Sequence, residues 1–386
     1  MKVLFVTLFP FEENTSVTIS SYGLLTGLHE LGYEVTILEP LMDKSDEPSC
    51  SFDLSPFIIE CIPGAYFREL RKPRKRTIWN RIRHKIHKSF DFLDFTSPIL
   101  RSANKVSVQG KYYDFIISVS DPKTSHLFAK RLIDRGLRYG RWIQHWGDPL
   151  NGDITRKNCY PDSIIQLYER RIIRHADRVV YVSPFTADMQ RKAYPDLIAK
   201  IAFVPLPYVH DNHEITQDAG MQSSVLKLAY LGDYSSRVRN IKPLYEACER
   251  RKDVELIIAG NSDLKLQSKE NITVLPRVPF EKARQIEEQA DVSVCVCNLK
   301  GTQIPGKLYY SASTQKHILV ILDGDEQEAM MNYLCSFNRY VVCENTVSSI
   351  EDTLGKISKM TQMVYCAPSQ LRPQTIVERI LDERGI

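Results

Sequence analysis

Short apolar runs alternate with helix-patterned segments along the whole chain, and no other feature restricts its fold so strongly. Residues 2–8 (KVLFVTL) read as a strand. The next segment, VTISSYGLLTGLHELG, puts Ile19, Tyr22, Leu25 and Leu28 at helical spacing, with Gly32 as its stop. YEVTILEP, FIIECI, DFIISVS, RWIQHW and RVVYVS come next as strands, each separated by helical or polar residues. Such alternation implies βαβ units and parallel sheets. From Val204 the segment VPLPYVHDNHEITQDAGMQSSV is polar and weakly periodic, and it reads as a linker. The alternation then restarts at LKLAYLGDYSS and runs on through VELIIAG, DVSVCVCN, HILVILDG and YVVCEN. The expectation is an α/β protein of two domains with parallel sheets, residues 1–205 and 226–369, facing each other across a cleft. A last helix within 370–386 is expected to pack back on the first domain. At 386 residues and 43% hydrophobic content the chain can fill two cores.

Charge and cysteine usage exclude several classes. The formal charge is +4, from 51 basic and 47 acidic residues, so the molecule is no polyelectrolyte binder and a basic partner surface must be local. The nine cysteines are scattered without a CxxC pair, which fits neither a zinc site nor a disulfide framework. They read as reduced thiols in the core of a cytoplasmic protein. MKVLFVTLFPF runs straight into Glu12-Glu13-Asn14 without a small-residue cleavage site, so it reads as a first strand and not a signal peptide. No apolar run approaches the ~18 residues that cross a bilayer.

In open parallel sheets, ligands bind outside the carboxyl ends of the strands, so chemistry is expected on the loops beyond them. In the first half, WIQHWGDPLNGD sets His145 and Asp148 at such an end, where a histidine and a carboxylate can orient a hydroxyl or act as a base, or can cap a turn. SVSDPKTSH places Asp121 and Lys123 in the same way, either lining the cleft or opening a helix. The first loop, FPFEENTS, is polar through Asn14, Thr15 and Ser16 and lacks GxGxxG, which counts against a dinucleotide dehydrogenase. In the second half, LGDYSSRVRNIKPLYEA runs strand, glycine (Gly232), polar loop, helix. Ser235 and Ser236 suit a helix cap, and Arg237 and Arg239 suit a diphosphate clamp. IPGKLYY, with Gly306 before Lys307, reads as a second basic helix start, and together the two suggest one diphosphate site. LDGD, Asp323 to Asp325, reads as a turn and helix cap; the alternative is a metal bridge between phosphates.

A basic segment lies between Arg68 and Lys88. Ile78, Ile82 and Ile86 recur at i, i+4 and i+8, with Trp79 beside them. This suits a helix on an anionic membrane surface. Nucleic acid and a solvated helix packed on the sheet are the rival readings.

Two α/β domains, an H-x-G-D loop in the first, and GDYSSRVRN…IAG…VPFEKARQIEEQADVSVCV…IPGKLYYSASTQKHILVI in the second resemble glycosyltransferases of the GT-B fold, and most of all the large family 4 of retaining enzymes. The likeness covers nearly the whole chain as an order of elements and is sharpest over PGKLYYSASTQKHIL. It implies two Rossmann-like domains, an acceptor domain and a nucleotide-sugar donor domain. By position, it implies that Arg237 or Arg239 and Lys307 meet the donor diphosphate, that His145 lies near the reacting sugar, and that Asn261 to Asp263 lie near the nucleotide. The family's Glu, seven residues, Glu stands here as Thr302 and Tyr310, so the ribose contact differs, with Tyr310 a candidate to bond or stack on the nucleotide. The family's Gly-Gly loop is replaced by Asn14-Thr15-Ser16.

Residues and resemblance together lead to the expectation of a metal-independent, hexosyltransferase-type enzyme without cofactor. It transfers a sugar from a nucleoside-diphosphate sugar to a hydroxyl. The resemblance and the basic segment imply a saccharide acceptor, lipid-linked in one reading, met at the inner face of the membrane in cell-surface polysaccharide assembly, with no nucleic acid partner. If the likeness holds, the configuration is retained; if Asp148 is a base, it inverts. Two other readings stay open: a non-catalytic module that binds phosphate-bearing ligands or membranes, and a sugar-nucleotide epimerase on the same fold.

Overall fold

The computed structural model describes residues 1–42, 52–67, 94–154, 160–209, 225–324, 326–360 and 365–382. The basic segment 68–88 therefore lies outside the described residues, as does most of the linker. The chain divides into two compact units, Met1–Pro207 with Pro373–Ile386, and Tyr208–Arg372.

The first unit is built on a seven-stranded sheet. Its strands are β1 (Lys2–Val6), β2 (Glu34–Leu41), β3 (Ile58–Tyr66), β4 (Tyr112–Ser120), β5 (Arg138–Trp146), β6 (Arg178–Tyr181) and β7 (Ile201–Phe203), in the spatial order β3-β2-β1-β4-β5-β6-β7. Every pairing is parallel; Val3 lies opposite Phe115 on one side and Val35 on the other. The central strands are apolar on both sides because both faces are covered. Leu4, Val6, Ile116, Trp142 and Trp146 form one face of the core with Phe128, Ala129 and Leu132 of helix α2 (Thr124–Asp134). Val3, Phe5, Ile117 and Ile143 form the other face with Leu24, Leu25 and Leu28 of helix α1 (Ser16–Glu30).

Local chemistry sets where α1 begins. The Thr15 hydroxyl accepts from the Thr18 amide at 3.1 Å, and the Thr18 hydroxyl accepts from the Thr15 amide at 3.0 Å. Each satisfies an amide that the first turn leaves open. Between α2 and the chain's last helix come α3 (Asp162–Ile173), α4 (Pro184–Ala193), α5 (Lys242–Glu249), α6 (Phe280–Gln289), the one-turn α7 (Lys307–Tyr310), α8 (Gln327–Cys335) and α9 (Val347–Ile357). The last helix, α10 (Pro373–Leu381), belongs to the first unit and buries Ile376, Val377 and Ile380 in the same core as α1. Its backbone comes so close to α1 that a Cβ on Gly27 would stand 2.4 Å from the Pro373 carbonyl oxygen. Arg178 donates to the carbonyls of Asp382 and Arg379, at 2.6 and 3.1 Å, and Arg141 to that of Leu381 at 3.2 Å. Two guanidinium groups thus satisfy carbonyls that the helix end leaves open.

The second unit carries a six-stranded parallel sheet. Its strands are β8 (Leu226–Leu231), β9 (Val254–Ala259), β10 (Ile272–Leu275), β11 (Val292–Val296), β12 (His317–Leu322) and β13 (Val341–Glu344), in the order β10-β9-β8-β11-β12-β13. Leu228, Leu256, Ile258, Val294, Leu319 and Ile321 form its core with residues of α5 and α9.

Three local expectations need correction. Ser235 and Ser236 cap no helix: α5 starts at Lys242, and the Lys242 amide donates to Asn240 Oδ1 at 3.1 Å. Lys307 opens one helical turn only, since Pro305 and Gly306 precede it and Ser311 ends it. The cysteines are not all in the core: among the described residues Cys248, Cys295, Cys297 and Cys343 are buried, whereas Cys61, Cys335 and Cys366 are exposed free thiols. In LDGD, Asp323 accepts from Asn345 Nδ2 at 2.8 Å and from the Gly324 amide at 3.0 Å, which is the chemistry of a turn; Asp325 lies outside the described residues.

Candidate functional site

In each sheet the strand order reverses once, and at that place neighbouring loops leave in opposite directions. In the second unit the reversal lies between β8 and β11. The loops beyond these two strands, residues 232–240 and 297–303, meet there. The Leu299 amide donates to the Val238 carbonyl at 2.7 Å. Arg239 Nε donates to Asn298 Oδ1 at 2.9 Å, and Asn298 Nδ2 donates to the Gln303 carbonyl at 3.2 Å. Asn345, beyond β13, ties the loop after β12 to the loop after β8 by donating to Asp323 and to the Asn240 carbonyl, the latter at 2.9 Å.

The loop after β8 is a tight turn. Ser235 and Arg239 exchange backbone hydrogen bonds of 3.0 and 3.1 Å, and the Val238 amide donates to Ser235 Oγ at 3.1 Å. Arg237 at its tip is exposed and Arg239 is half-buried. Gly232 begins the loop at a φ of +147°, and its carbonyl oxygen would stand 2.0 Å from a Cβ on Gly260, so the two loops pass closer than side chains allow. Asn261 is exposed; its amide donates to Asp233 Oδ1 at 2.9 Å and its carbonyl accepts from Tyr234 at 3.1 Å.

Gly306 has an ordinary helical φ of −56° and caps α7, and half-buried Tyr310 closes it, with its carbonyl accepting from the Val209 amide at 3.1 Å. Lys307 is 15% exposed and pairs with Glu287 of α6 at 2.9 Å. Ser293 Oγ donates to the same carboxylate at 3.1 Å. Burial alone would raise the Glu287 pKa, but the Lys307 ammonium and the Ser293 hydroxyl hold it below the ordinary value. Burial raises the pKa of the Cys295 thiol of β11, and the Arg239 and Lys307 charges oppose that rise.

In the first unit, Asp121, Lys123, His145 and Asp148 follow or end β4 and β5. The Lys123 side chain is 5% exposed and donates to Asp121 at 2.6 Å and Asp153 at 3.3 Å. Burial would lower its pKa, but Asp121, Asp153 and Asp148 together raise it, so the ammonium stays charged. Asp94 takes over the start of α2, accepting from the Thr124 amide at 3.0 Å and the Thr124 hydroxyl at 2.7 Å. Glu169, buried on α3, accepts from the amides of Leu150 and Asn151 and from the Tyr194 hydroxyl at 2.5, 3.2 and 2.8 Å. It fixes the loop that carries Asp148.

His145 lies within β5, beside Val119 and Val180, and is 2% exposed. Both its ring nitrogens are buried without a hydrogen-bond partner among the described residues. Burial lowers its pKa to about 4, so the ring is neutral near pH 7. His126 is buried as well, with Nδ1 2.8 Å from Ser118 Oγ, and stacks on Trp146. Asn14 and Thr15 are half-buried and Ser16 is exposed; Thr15 is occupied as the cap of α1.

Sequence reasoning missed Asn298, Asn345, Glu287, Asp94 and Glu169. Asn298 carried a usable signal: it is the polar residue that ends the apolar run DVSVCVC, at a strand's carboxyl end.

No protein-family model matches the chain, and no curated protein matches it in sequence. Solved structures do match in fold. Sucrose-phosphate synthase from Thermosynechococcus elongatus superposes with a TM-score of 0.58 at 12% identity, over 98% of this chain and 94% of that one. Anabaena HepE in complex with UDP and glucose gives 0.52 at 11% identity, over 99% and 96%. Trehalose 6-phosphate synthase from Burkholderia multivorans gives 0.52 at 11% identity, over 98% and 92%. These structures have the two-domain GT-B fold, and so does this chain, with its two parallel sheets.

Proposed function

We propose that this protein is a glycosyltransferase that moves a hexosyl group from a nucleoside-diphosphate sugar to a hydroxyl acceptor. The observation that carries the reading is the placement of Arg239 where the loops after β8 and β11 meet at the reversal of strand order. Anions favour such a position, and guanidinium groups match phosphate geometry. Transfer leaves a nucleoside diphosphate, whose growing negative charge must be stabilised. Arg237, Arg239 and Lys307 would supply that stabilisation without a metal ion, through charges already in place before the bond breaks. Gly232, Asn261, Gly306 and Tyr310 would surround the nucleotide and the sugar.

The acceptor would use the first unit. His145, neutral at pH 7 because burial holds its pKa near 4, would offer a hydrogen bond and not a charge. Asp148, Asp121 and Lys123, with Asn14 to Ser16, would orient the acceptor hydroxyl. The resemblance to family 4 favours retention of configuration. The basic segment 68–88 favours a membrane-associated saccharide acceptor at the inner face of the membrane, in cell-surface polysaccharide synthesis. No helix among the described residues is long and apolar enough to cross a membrane.

The test is calorimetry of the purified protein against UDP, GDP, ADP and dTDP, with and without magnesium. UDP comes first, because HepE of the same fold was solved with UDP and glucose. The expected result is one diphosphate bound without magnesium and its sugar conjugate consumed when acceptor is present. Binding to none of the four would end the donor reading and favour the non-catalytic one.

A further inference from the structure

A basic side chain at a phosphate site faces two demands. It must be held in one orientation, since a free arginine gives up much rotamer freedom on binding, and it must keep its charge uncompensated. A carboxylate partner meets the first demand and defeats the second. A neutral amide meets both.

Arg239 has the second kind of partner. Its backbone is fixed in the turn by hydrogen bonds to Ser235 in both directions. Its Nε is fixed by Asn298 Oδ1 at 2.9 Å. Nε is the only guanidinium nitrogen of Arg239 that meets a protein acceptor among the described residues. Asn298 is itself held from the other side: it is 8% exposed and its Nδ2 donates to the Gln303 carbonyl. Its neighbour Leu299 is bonded to the Arg239 loop through Val238. We infer that Asn298 is the positioning residue of the donor site: its amide aims the two terminal nitrogens of Arg239 at the donor diphosphate while leaving their charge intact.

The inference rests on the donor reading above and adds to it a residue that touches no substrate. It separates two cations that look alike in sequence. Lys307 is paired with a carboxylate, so its charge is already partly compensated. Arg239 is held by an amide, so its charge is fully available. The diphosphate increment of binding therefore belongs mainly to Arg239, and through it to Asn298.

The test compares wild type, Asn298→Asp, Arg239→Gln and the double variant by calorimetry. The ligands are UDP, GDP, ADP and dTDP, each beside its matching nucleoside. Asn298→Asp keeps the size of the side chain and an acceptor for Nε but sets a negative charge against Arg239. It is expected to weaken the bound diphosphate roughly tenfold or more, the scale of one charge-assisted hydrogen bond, and to leave the nucleoside unchanged. In the Arg239→Gln background the neutral Asn298→Ala should have no further effect, because the group through which it acts is gone, and Asn298→Asp should keep only the direct repulsion between its carboxylate and the phosphates. A structural role would instead weaken nucleoside and diphosphate alike and would persist in that background. Asn298→Ala removes both hydrogen bonds without adding charge; a smaller loss confined to the diphosphate is expected, and this variant decides where the aspartate variant does not fold. Full diphosphate affinity in Asn298→Asp, or an equal loss for the nucleoside, overturns the inference. Wild-type protein that binds none of the four diphosphates overturns it differently, by removing the donor reading beneath it.

Discussion

Replacing Lys307 by alanine is the obvious way to test a phosphate-binding lysine, and the structure predicts that it will mislead when used alone. Lys307 is 15% exposed, and the Glu287 carboxylate 2.9 Å away is 33% exposed. Removing the ammonium leaves that carboxylate with the Ser293 hydroxyl in a setting where burial opposes its charge. An exposed pair is worth at most about 1 kcal/mol, and breaking a buried one costs about 3–5 kcal/mol. This pair lies between, so Lys307→Ala should cost about 2 kcal/mol. That lowers the melting temperature by roughly 4–8 °C for a unit of this size. Lost activity in this variant would therefore not distinguish a missing phosphate contact from a loosened fold. Glu287→Gln makes the opposite change. It keeps a hydrogen-bonding group and removes the charge that competes with phosphate for Lys307. A phosphate bound to Lys307 would stand about 6 Å from the Glu287 carboxylate, and at an effective dielectric constant of about 40 the repulsion is about 1.4 kcal/mol. Glu287→Gln should therefore bind the nucleoside diphosphate about tenfold more tightly, less so at high salt. Titration calorimetry at two ionic strengths, with thermal melts of both single variants and the double, checks this. The double variant should regain most of the stability that Lys307→Ala loses. If Glu287→Gln binds the diphosphate no better than wild type, Lys307 does not meet phosphate and is a structural pin.

Two further predictions concern the first unit. Glu39 is buried on β2, where burial first and the Glu12 carboxylate second raise its pKa from 4.5 to about 8, against the Phe11 amide that donates to it at 3.0 Å. The folded protein then keeps a proton that the unfolded chain releases near pH 4.5. Stability should fall as pH rises from about 4.5 to 8, by at most about 5 kcal/mol in total. Glu39→Gln should remove that slope and make the protein more stable than wild type at about pH 8.5 but not at about pH 4.5; parallel denaturation curves at the two pH values would contradict the assignment. Gly27→Ala sets a Cβ 2.4 Å from the Pro373 carbonyl oxygen, on backbone that cannot swing aside, and should cost about 2–3 kcal/mol by forcing α10 off α1. Unchanged melting and unchanged protease resistance at the C-terminus would show that α10 does not depend on that contact.

The alternation of apolar strands and helices was legible because it is local. KVLFVTL, VELIIAG and HILVIL each announce a strand covered on both faces, and β1, β9 and β12 are such strands. Helix starts were less legible, because a serine before a helix looks the same whether it caps the helix or serves another partner. Ser235 closes a turn on Val238, and Ser236 donates to Asp263 from its amide and its hydroxyl, each at 3.1 Å. Only the tertiary structure supplies those partners, and they leave α5 to begin at Lys242.

The site divides along the same line. Cations after strands can be read from sequence, since charge and position are properties of one segment. What each cation is paired with cannot, since the partner lies far along the chain: Asn298 comes 59 residues after Arg239. Glu287 sits in FEKARQIEEQA among acids and bases that look like an ordinary solvated helix face, and nothing in that spacing marks the one that reaches Lys307. Yet the pairing decides the chemistry. An arginine held by an amide and a lysine held by a carboxylate present different effective charges to the same ligand. A sequence that exchanged these partners would keep every cation used to recognise the site, and it would move the phosphate-binding charge from one loop to the other.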